Sequence, residues 1–348
     1  MPSIAFSWFG LPQYAARLIR GAIEILDQEC FVVGSKPNVP VLGIEAALGQ
    51  RILWVDPQRP IAWKDIGIDI PQVFVQSGWG YPAFTSLGRQ VKANGGRIIG
   101  LSDANWRGDF RQLIFGPLIF RTLYRKHFDA MLVPGRQGQR LMKWFGMPDS
   151  RVRAGMYGAD RELFKYGPSL PTRPKTFLFV GQFIERKGVL CLSRAFMRFS
   201  KTHPDWALHL CGSGVQRESI PVHDRLLVED FVQPEGLAAR FHESRFLVLP
   251  STTEAWGLVV HEAALCGCAL VLSDAIGSAD DLASVRNAIR FRANDEDDLY
   301  RALVDAAALS DDWFAAAEHE SKSLACHFGP TRFAAELKDL IETFEQDQ

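Results

Sequence analysis

The sequence predicts an α/β protein made of two doubly wound, Rossmann-like domains in series. Three observations carry this. Short β-rich runs alternate with helical runs along the whole chain, which argues for parallel sheets with helices on both faces. The alternation is interrupted once, by the proline-rich stretch KYGPSLPTRPK at 165–175, and then restarts. The 348 residues fit two domains of ordinary size.

In the first half, Ser3–Trp8 reads as a strand, followed by a turn at Gly10-Leu11-Pro12 and a helix over Tyr14–Leu26. Strands follow at Cys30–Gly34, Arg51–Val55, Gln72–Gln76, Arg97–Leu101 and Ala130–Val133, with helices at Ala83–Ala93 and Gln137–Phe145. In the second half the strands are Thr176–Val180, Ala207–Leu210, Arg225–Val228, Phe246–Leu249, Ala269–Leu272 and Ala288–Phe291. From Pro330 onward, Phe333, Leu337, Leu340, Ile341 and Phe344 form one apolar helical face. The expected boundaries are an N-terminal domain over 1–165, a linker over 166–175, a C-terminal domain over 176–329, and a terminal helix over 330–348 that can pack back on the first domain.

Composition sets further limits. Hydrophobic residues make up 47% of the chain and charged residues 23%, enough apolar material for two cores without disulfides or metal. The six cysteines are scattered, mostly in apolar runs, and read as reduced, buried thiols of a cytosolic protein. The start has neither a basic flank nor a long apolar run, so no signal peptide is expected. No window approaches the roughly 18–20 apolar residues of a spanning helix. The net charge of −1 is unevenly spread, with 21 Lys/Arg and 13 Asp/Glu in residues 1–165. The basic first half is read either as a face toward an anionic acceptor or inner membrane leaflet, or as ordinary solvation. The basic-apolar stretch Arg107–Lys126, RGDFRQLIFGPLIFRTLYRK, is either a membrane-surface element or domain core, with core slightly favoured.

In doubly wound sheets ligands bind beyond the carboxyl ends of strands, and with two such domains the groove between them is the expected site. The stretch LPSTTEAWGLVVHEAALCGCALVLSD at 249–274 reads strand, loop, helix, turn, strand. A helix starting near Gly257 would aim the amides of Gly257, Leu258 and Val259 at an anion, the macrodipole adding to the hydrogen bonds. Glu254 precedes that helix and Glu262 lies within it, so one carboxylate can serve the groove mouth and the other a ribose diol. A loop cap and a solvated helix residue are the plain alternative for the pair. FVGQFIERKG at 179–188 closes the first strand of the second half; Gly181 permits a turn, and Arg186 and Lys187 supply cations for a diphosphate. LCGSG at 210–214 adds a glycine turn. Asp295-Glu296-Asp297-Asp298 reads as a capped helix start rather than a metal site. His261-Glu262 lacks the second histidine of a zinc motif, and no Gly-x-Gly-x-x-Gly follows a strand.

Glu254 and Glu262 form the E-x7-E pattern of the retaining glycosyltransferase family 4, and PSTTEAWGLVVHEAALCG resembles that family's signature. FVGQFIERKG resembles its donor-diphosphate loop, MPDSRVRAGMYGADRELF (147–164) its interdomain stretch, and NAIRFRANDEDDLYRAL (287–303) the segment after its last donor strands. The resemblance is specific over 147–303 and weak over 1–146. It implies the GT-B fold, with the acceptor on the N-terminal domain and a UDP- or GDP-linked sugar on the C-terminal one. Carried over by position, Lys187 binds the diphosphate, the Leu258 and Val259 amides cradle it, Glu262 binds the ribose, and Glu254 supports the charge that develops on the transferred sugar. Retention follows from the resemblance alone; no metal or cofactor beyond the sugar nucleotide is expected. Three departures stand out. Gln182 replaces the family's arginine, with Arg186 the candidate substitute. The loop Phe9–Gln13 has one glycine where two are common. Asp103 stands where many members have a histidine, as acceptor-side carboxylate or hydrogen-bond partner. Gln182 and the single-glycine loop motivate an alternative: a nucleotide-sugar-binding protein without turnover.

Overall fold

The computed structural model describes residues 3–26, 28–37 and 43–346. The chain divides into two units: residues up to Gly158 together with those from Phe328 on, and Ala159–His327.

The first unit holds a seven-stranded parallel sheet. Its strands are β1 (Ile4–Trp8), β2 (Cys30–Gly34), β3 (Leu53–Trp54), β4 (Val73–Ser77), β5 (Arg97–Leu101), β6 (Ala130–Val133) and β7 (Val152–Ala154), in the order β3-β2-β1-β4-β5-β6-β7. The two-residue side-chain period of β1 splits its residues between two cores. Ile4, Phe6 and Trp8 pack on one face with the helix Gln13–Leu26; Ala5 packs on the other with Phe74, Phe84 and Leu87.

The helix Pro330–Gln346 belongs to this unit. Its buried Phe333, Leu337, Leu340 and Phe344 join the core under Gln13–Leu26. Gly21 makes room for it, since a β-carbon there would lie 2.8 Å from Pro330.

The second unit has six parallel strands: β8 (Thr176–Val180), β9 (Ala207–Cys211), β10 (Leu226–Glu229), β11 (Phe246–Leu249), β12 (Ala269–Ser273) and β13 (Ala288–Phe291), in the order β10-β9-β8-β11-β12-β13. β11 and β12 are buried along their whole length, as strands covered by helices on both faces must be. In both sheets the strand order reverses once, between β1 and β4 and between β8 and β11, and that reversal opens a crevice at the strands' carboxyl ends.

Two sequence readings change. Residues 166–175, expected to link the domains, lie inside the second unit. Leu170 is buried, and the buried Arg173 guanidinium donates to the carbonyls of Pro168, Phe241 and Cys266 at 2.9, 3.1 and 2.7 Å. The prolines stiffen the strap; the arginine fastens it. The stretch Arg107–Lys126, for which core was favoured, is mostly not core. It forms a continuous helix of π-type and α turns over Arg111–Phe115, Gly116–Ile119 and Phe120–Tyr124. Only Gln112, Pro117 and Phe120 are buried within it, while most of its large apolar side chains face solvent.

Candidate functional site

The second unit's site is built at its sheet reversal. Two loops leave adjacent strands there, one after β8 and one after β11. After β8 the chain makes a single 3-10 turn, Glu185–Lys187, closed by the amide of Gly188 on the Glu185 carbonyl at 3.0 Å. Gly188 has a left-handed φ of 70°, and a β-carbon there would stand 2.4 Å from the Pro250 carbonyl oxygen. Glycine therefore lets this turn close directly on the end of β11. The Thr252 amide donates to the Arg186 carbonyl at 2.8 Å and locks the two loops together.

That contact brings the predicted charges into one cluster. Lys187 donates from Nζ to Oε2 of Glu254, and both side chains are largely buried. Arg186 reaches the same oxygen at 3.4 Å and donates to the Thr253 carbonyl at 2.9 Å. Ser251, which the sequence reading passed over, donates to Glu254 Oε2 at 3.3 Å. The Glu254 backbone is held on both sides: its amide donates to Ala275 at 3.2 Å, and its carbonyl accepts from Gly277 at 3.0 Å. Its position is thus set by the turn after β12 as well as by its own loop.

Gly257 follows with φ 85°, and the helix Leu258–Leu265 begins at once, with no side chain capping it. The amides of Leu258 and Val259 open this helix, where a chain has no earlier carbonyl of its own to bond. Glu262 lies on the same helix, half-buried, and the protein crowding its carboxyl pushes it up from the usual carboxylate range to about 7. Its neighbour His261 is fully buried and structural. Its Nδ1 accepts from the Ala159 amide at 2.9 Å, and its Nε2 lies 2.9 Å from the Ala325 carbonyl, so the ring joins both ends of the unit. Burial holds it down at about 4, neutral as these two bonds require.

Gly181 and Gln182 begin the β8 loop, and Gln182 is exposed. The LCGSG turn is more than a turn. A β-carbon on Gly212 would fall 1.9 Å from the Gly181 carbonyl oxygen, and one on Gly214 would fall 2.5 Å from that of Phe183. Both glycines are the floor on which the cation-bearing loop rests. Their signal in the sequence is the spacing of two glycines right after a strand, beside another strand that also ends in glycine.

Asp103 lies in the first unit, exposed, just past β5. Tyr157 hydrogen-bonds both Asp103 and Tyr14, and burial pushes both phenols far above their ordinary range. These residues line a pocket of about 240 Å³ with Trp8, Phe9 and Tyr81, at this sheet's own reversal point. The tyrosine pair was not foreseen; Tyr157 sits 54 positions from Asp103 and only folding joins them.

His209, Cys211 and Glu229 are grouped closely enough to suggest a metal, but Arg240 already grips Glu229 through two hydrogen bonds of 2.7 Å. That pairing holds the Glu229 carboxyl down at about 2. The Asp295 cluster is a helix cap: its side chain accepts from the Asp298 amide at 2.9 Å.

Among solved structures, the chain is similar to the Anabaena protein HepE in complex with UDP, with a TM-score of 0.76 and 12% identity over 99% of this chain and all of that one. Together with the two parallel-sheet units, this likeness makes the fold GT-B. In sequence, glycogen synthase of Mycobacterium tuberculosis is 29% identical over 160 residues, 44% of this chain and 39% of that protein. The D-inositol 3-phosphate glycosyltransferase of Nocardiopsis dassonvillei is 25% identical over 232 residues, 59% of this chain and 53% of that one. The chain thus spans about two fifths to one half of these relatives. Residues 174–308, which carry every donor-side candidate from Gly181 to Glu262, match the family described as glycosyl transferases group 1.

Proposed function

We propose that the protein is a retaining, metal-independent glycosyltransferase of family 4 that works in the cytoplasm. It moves a hexose from a nucleoside diphosphate sugar to a glycan, lipid-linked or small-molecule acceptor. The observation that carries this reading is the meeting of Lys187, Arg186 and Glu254 beside an uncapped helix start at the sheet reversal of the matched segment.

Each group then has a task. The Lys187 ammonium and the Leu258 and Val259 amides receive the diphosphate, with Arg186 supplying the charge that Gln182 does not. Glu262, when ionised, accepts from the ribose hydroxyls. Lys187 is held by Glu254. An incoming diphosphate takes over the ammonium and leaves the Glu254 carboxylate to face the sugar. The bond from the anomeric carbon to the β-phosphate oxygen breaks, the acceptor oxygen bonds to that carbon, and the acceptor proton passes to the leaving phosphate. Preorganised cations and amides stabilise the departing diphosphate without reorganising. Asp103, braced by Tyr157, orients the acceptor hydroxyl.

Uridine is the first nucleobase to try, because the structural neighbour HepE is in complex with UDP. A second reading, binding without turnover, is favoured by the exposed neutral Gln182. A panel of UDP- and GDP-sugars separates the two. Nucleotide release that requires an acceptor supports transfer; tight binding with no release from any donor and acceptor pair supports the second reading.

A further inference from the structure

The first unit carries an exposed apolar surface. Along the helix of residues 110–124, Phe110, Ile114, Phe115, Leu118, Ile119 and Leu123 are all exposed, with Phe110 and Leu123 at 66% and Leu118 at 60%. They recur every four to five residues, the repeat of a π-type helix. The amides of Gly116 and Arg125 each reach back five residues, to Arg111 and Phe120. The wider turn gathers on one outward face side chains that an ordinary α-helix would spread around its circumference. Folded monomers rarely leave such a contiguous apolar face in water unless something covers it.

The surroundings say what covers it. Residues 104–148 contain eight Lys/Arg and two Asp/Glu. Beside the helix lies a pocket of about 690 Å³ lined by Trp106, Leu113, Arg136, Gln139, Arg140, Lys143 and Trp144. The Arg140 guanidinium stacks over Trp106 at 4.1 Å. Trp144 is half exposed, its indole N–H donating to the Leu113 carbonyl at 3.1 Å. Exposed apolar chains, tryptophans at their margin and a ring of cations form the composition of a helix that lies in a bilayer interface. No helix among the described residues is long and apolar enough to cross a membrane.

We infer that this face docks the protein onto an anionic lipid bilayer. Phe110, Ile114, Leu118 and Leu123 enter the acyl boundary, and Arg111 and Lys126 meet the headgroup charge. Not every cation there is available for lipid. Arg121 donates to the Trp144 and Phe145 carbonyls at 3.2 Å, and Arg125 to that of Gly146 at 3.3 Å, so these two cap the end of the helix Arg136–Phe145. This inference stands apart from the sugar-transfer reading.

Vesicle sedimentation of the full chain tests it, using phosphatidylglycerol–phosphatidylcholine vesicles against pure phosphatidylcholine. Binding is expected to the anionic vesicles, falling at least tenfold between about 0.05 and 0.5 M salt as the charges are screened. The variant F110S/L118S/L123S should lose at least tenfold in partitioning, and R111Q/K126Q several-fold. Arg121 and Arg125 stay untouched, and unchanged circular dichroism and thermal unfolding show that the fold is intact. No binding to anionic vesicles overturns the inference. So does binding that the apolar triple variant leaves unchanged, or equal binding to both vesicle types. A dimer in light scattering that the triple variant dissolves, with no vesicle binding, overturns it in favour of a second copy as occupant.

Discussion

Replacing Glu254 by glutamine should tighten the protein's hold on UDP while abolishing turnover. The Lys187 ammonium is paired with Glu254 Oε2, with both side chains largely buried. A diphosphate that uses Lys187 must first displace that carboxylate, and it must also bind beside its negative charge. A hydrogen bond to an ionised partner is worth about 1.5–3 kcal/mol. Arg186 remains near the same oxygen at 3.4 Å but is far more exposed, so it is screened and offsets little. Removing the competing charge should therefore return roughly 1–2 kcal/mol to ligand binding, a fall in Kd of about 5- to 30-fold. Lys187→Ala should act in the opposite sense, weakening UDP binding by about 10- to 100-fold. Isothermal calorimetry on the two single variants and the double variant closes a mutant cycle, in which neighbours sharing one contact should not add. Transfer to any competent acceptor should be lost in Glu254→Gln although the nucleotide is bound. If Glu254→Gln weakens UDP binding, or leaves Kd within twofold, Lys187 is not released to a diphosphate and the donor-site reasoning fails.

Glu262, raised to about 7 by burial, should make donor binding pH-dependent. If ribose hydroxyls bond its ionised form, affinity for UDP-glucose, whose own diphosphate does not titrate there, should fall up to tenfold per unit as pH drops below about 7, and Glu262→Gln should flatten the profile. A carboxyl raised on folding contributes stability that is full below its unfolded pKa and lost as pH rises through about 7. The unfolding free energy from urea titrations should accordingly fall between pH 4.5 and 7, by at most about 3 kcal/mol, and Glu262→Gln should remove that slope. Gly212→Ala forces a methyl to 1.9 Å from the Gly181 carbonyl, so it should lower Tm and weaken UDP binding together, whereas a surface control such as Val222→Ala should do neither. Arg173→Ala strips the carbonyls of Pro168, Phe241 and Cys266 of their donor and should cost about 3 kcal/mol, read as a lower urea midpoint with an unchanged slope.

Much of the fold was legible because parallel strands buried on both faces must be continuous apolar runs. Cys30–Gly34, Arg97–Leu101, Ala130–Val133, Thr176–Val180 and Phe246–Leu249 form with the bounds read from sequence, as does the edge strand Ala288–Phe291, of which only Phe291 is buried. The short β7, Val152–Ala154, was missed: a three-residue edge strand has too few positions to show a period. The strap at 166–175 misled for a different reason. Prolines signal that a helix cannot form, but they say nothing about whether the segment is solvated, and the partners of Arg173 lie some seventy to ninety positions away.

By itself the sequence determined the strand–helix alternation, the glycines at strand ends, and the local order of Glu254, Gly257 and Glu262 on one loop and helix. All of these are set by neighbours within a turn or two. Only the tertiary structure decided that Lys187 and Arg186 meet Glu254, that Gly212 and Gly214 support their loop, and that Tyr157 braces Asp103. It also decided which way the 110–124 helix faces. Apolar periodicity states that a helix has a greasy side; whether that side turns toward the core depends on the room the rest of the unit leaves. Here Phe120 fills the available room and its apolar neighbours are left outside.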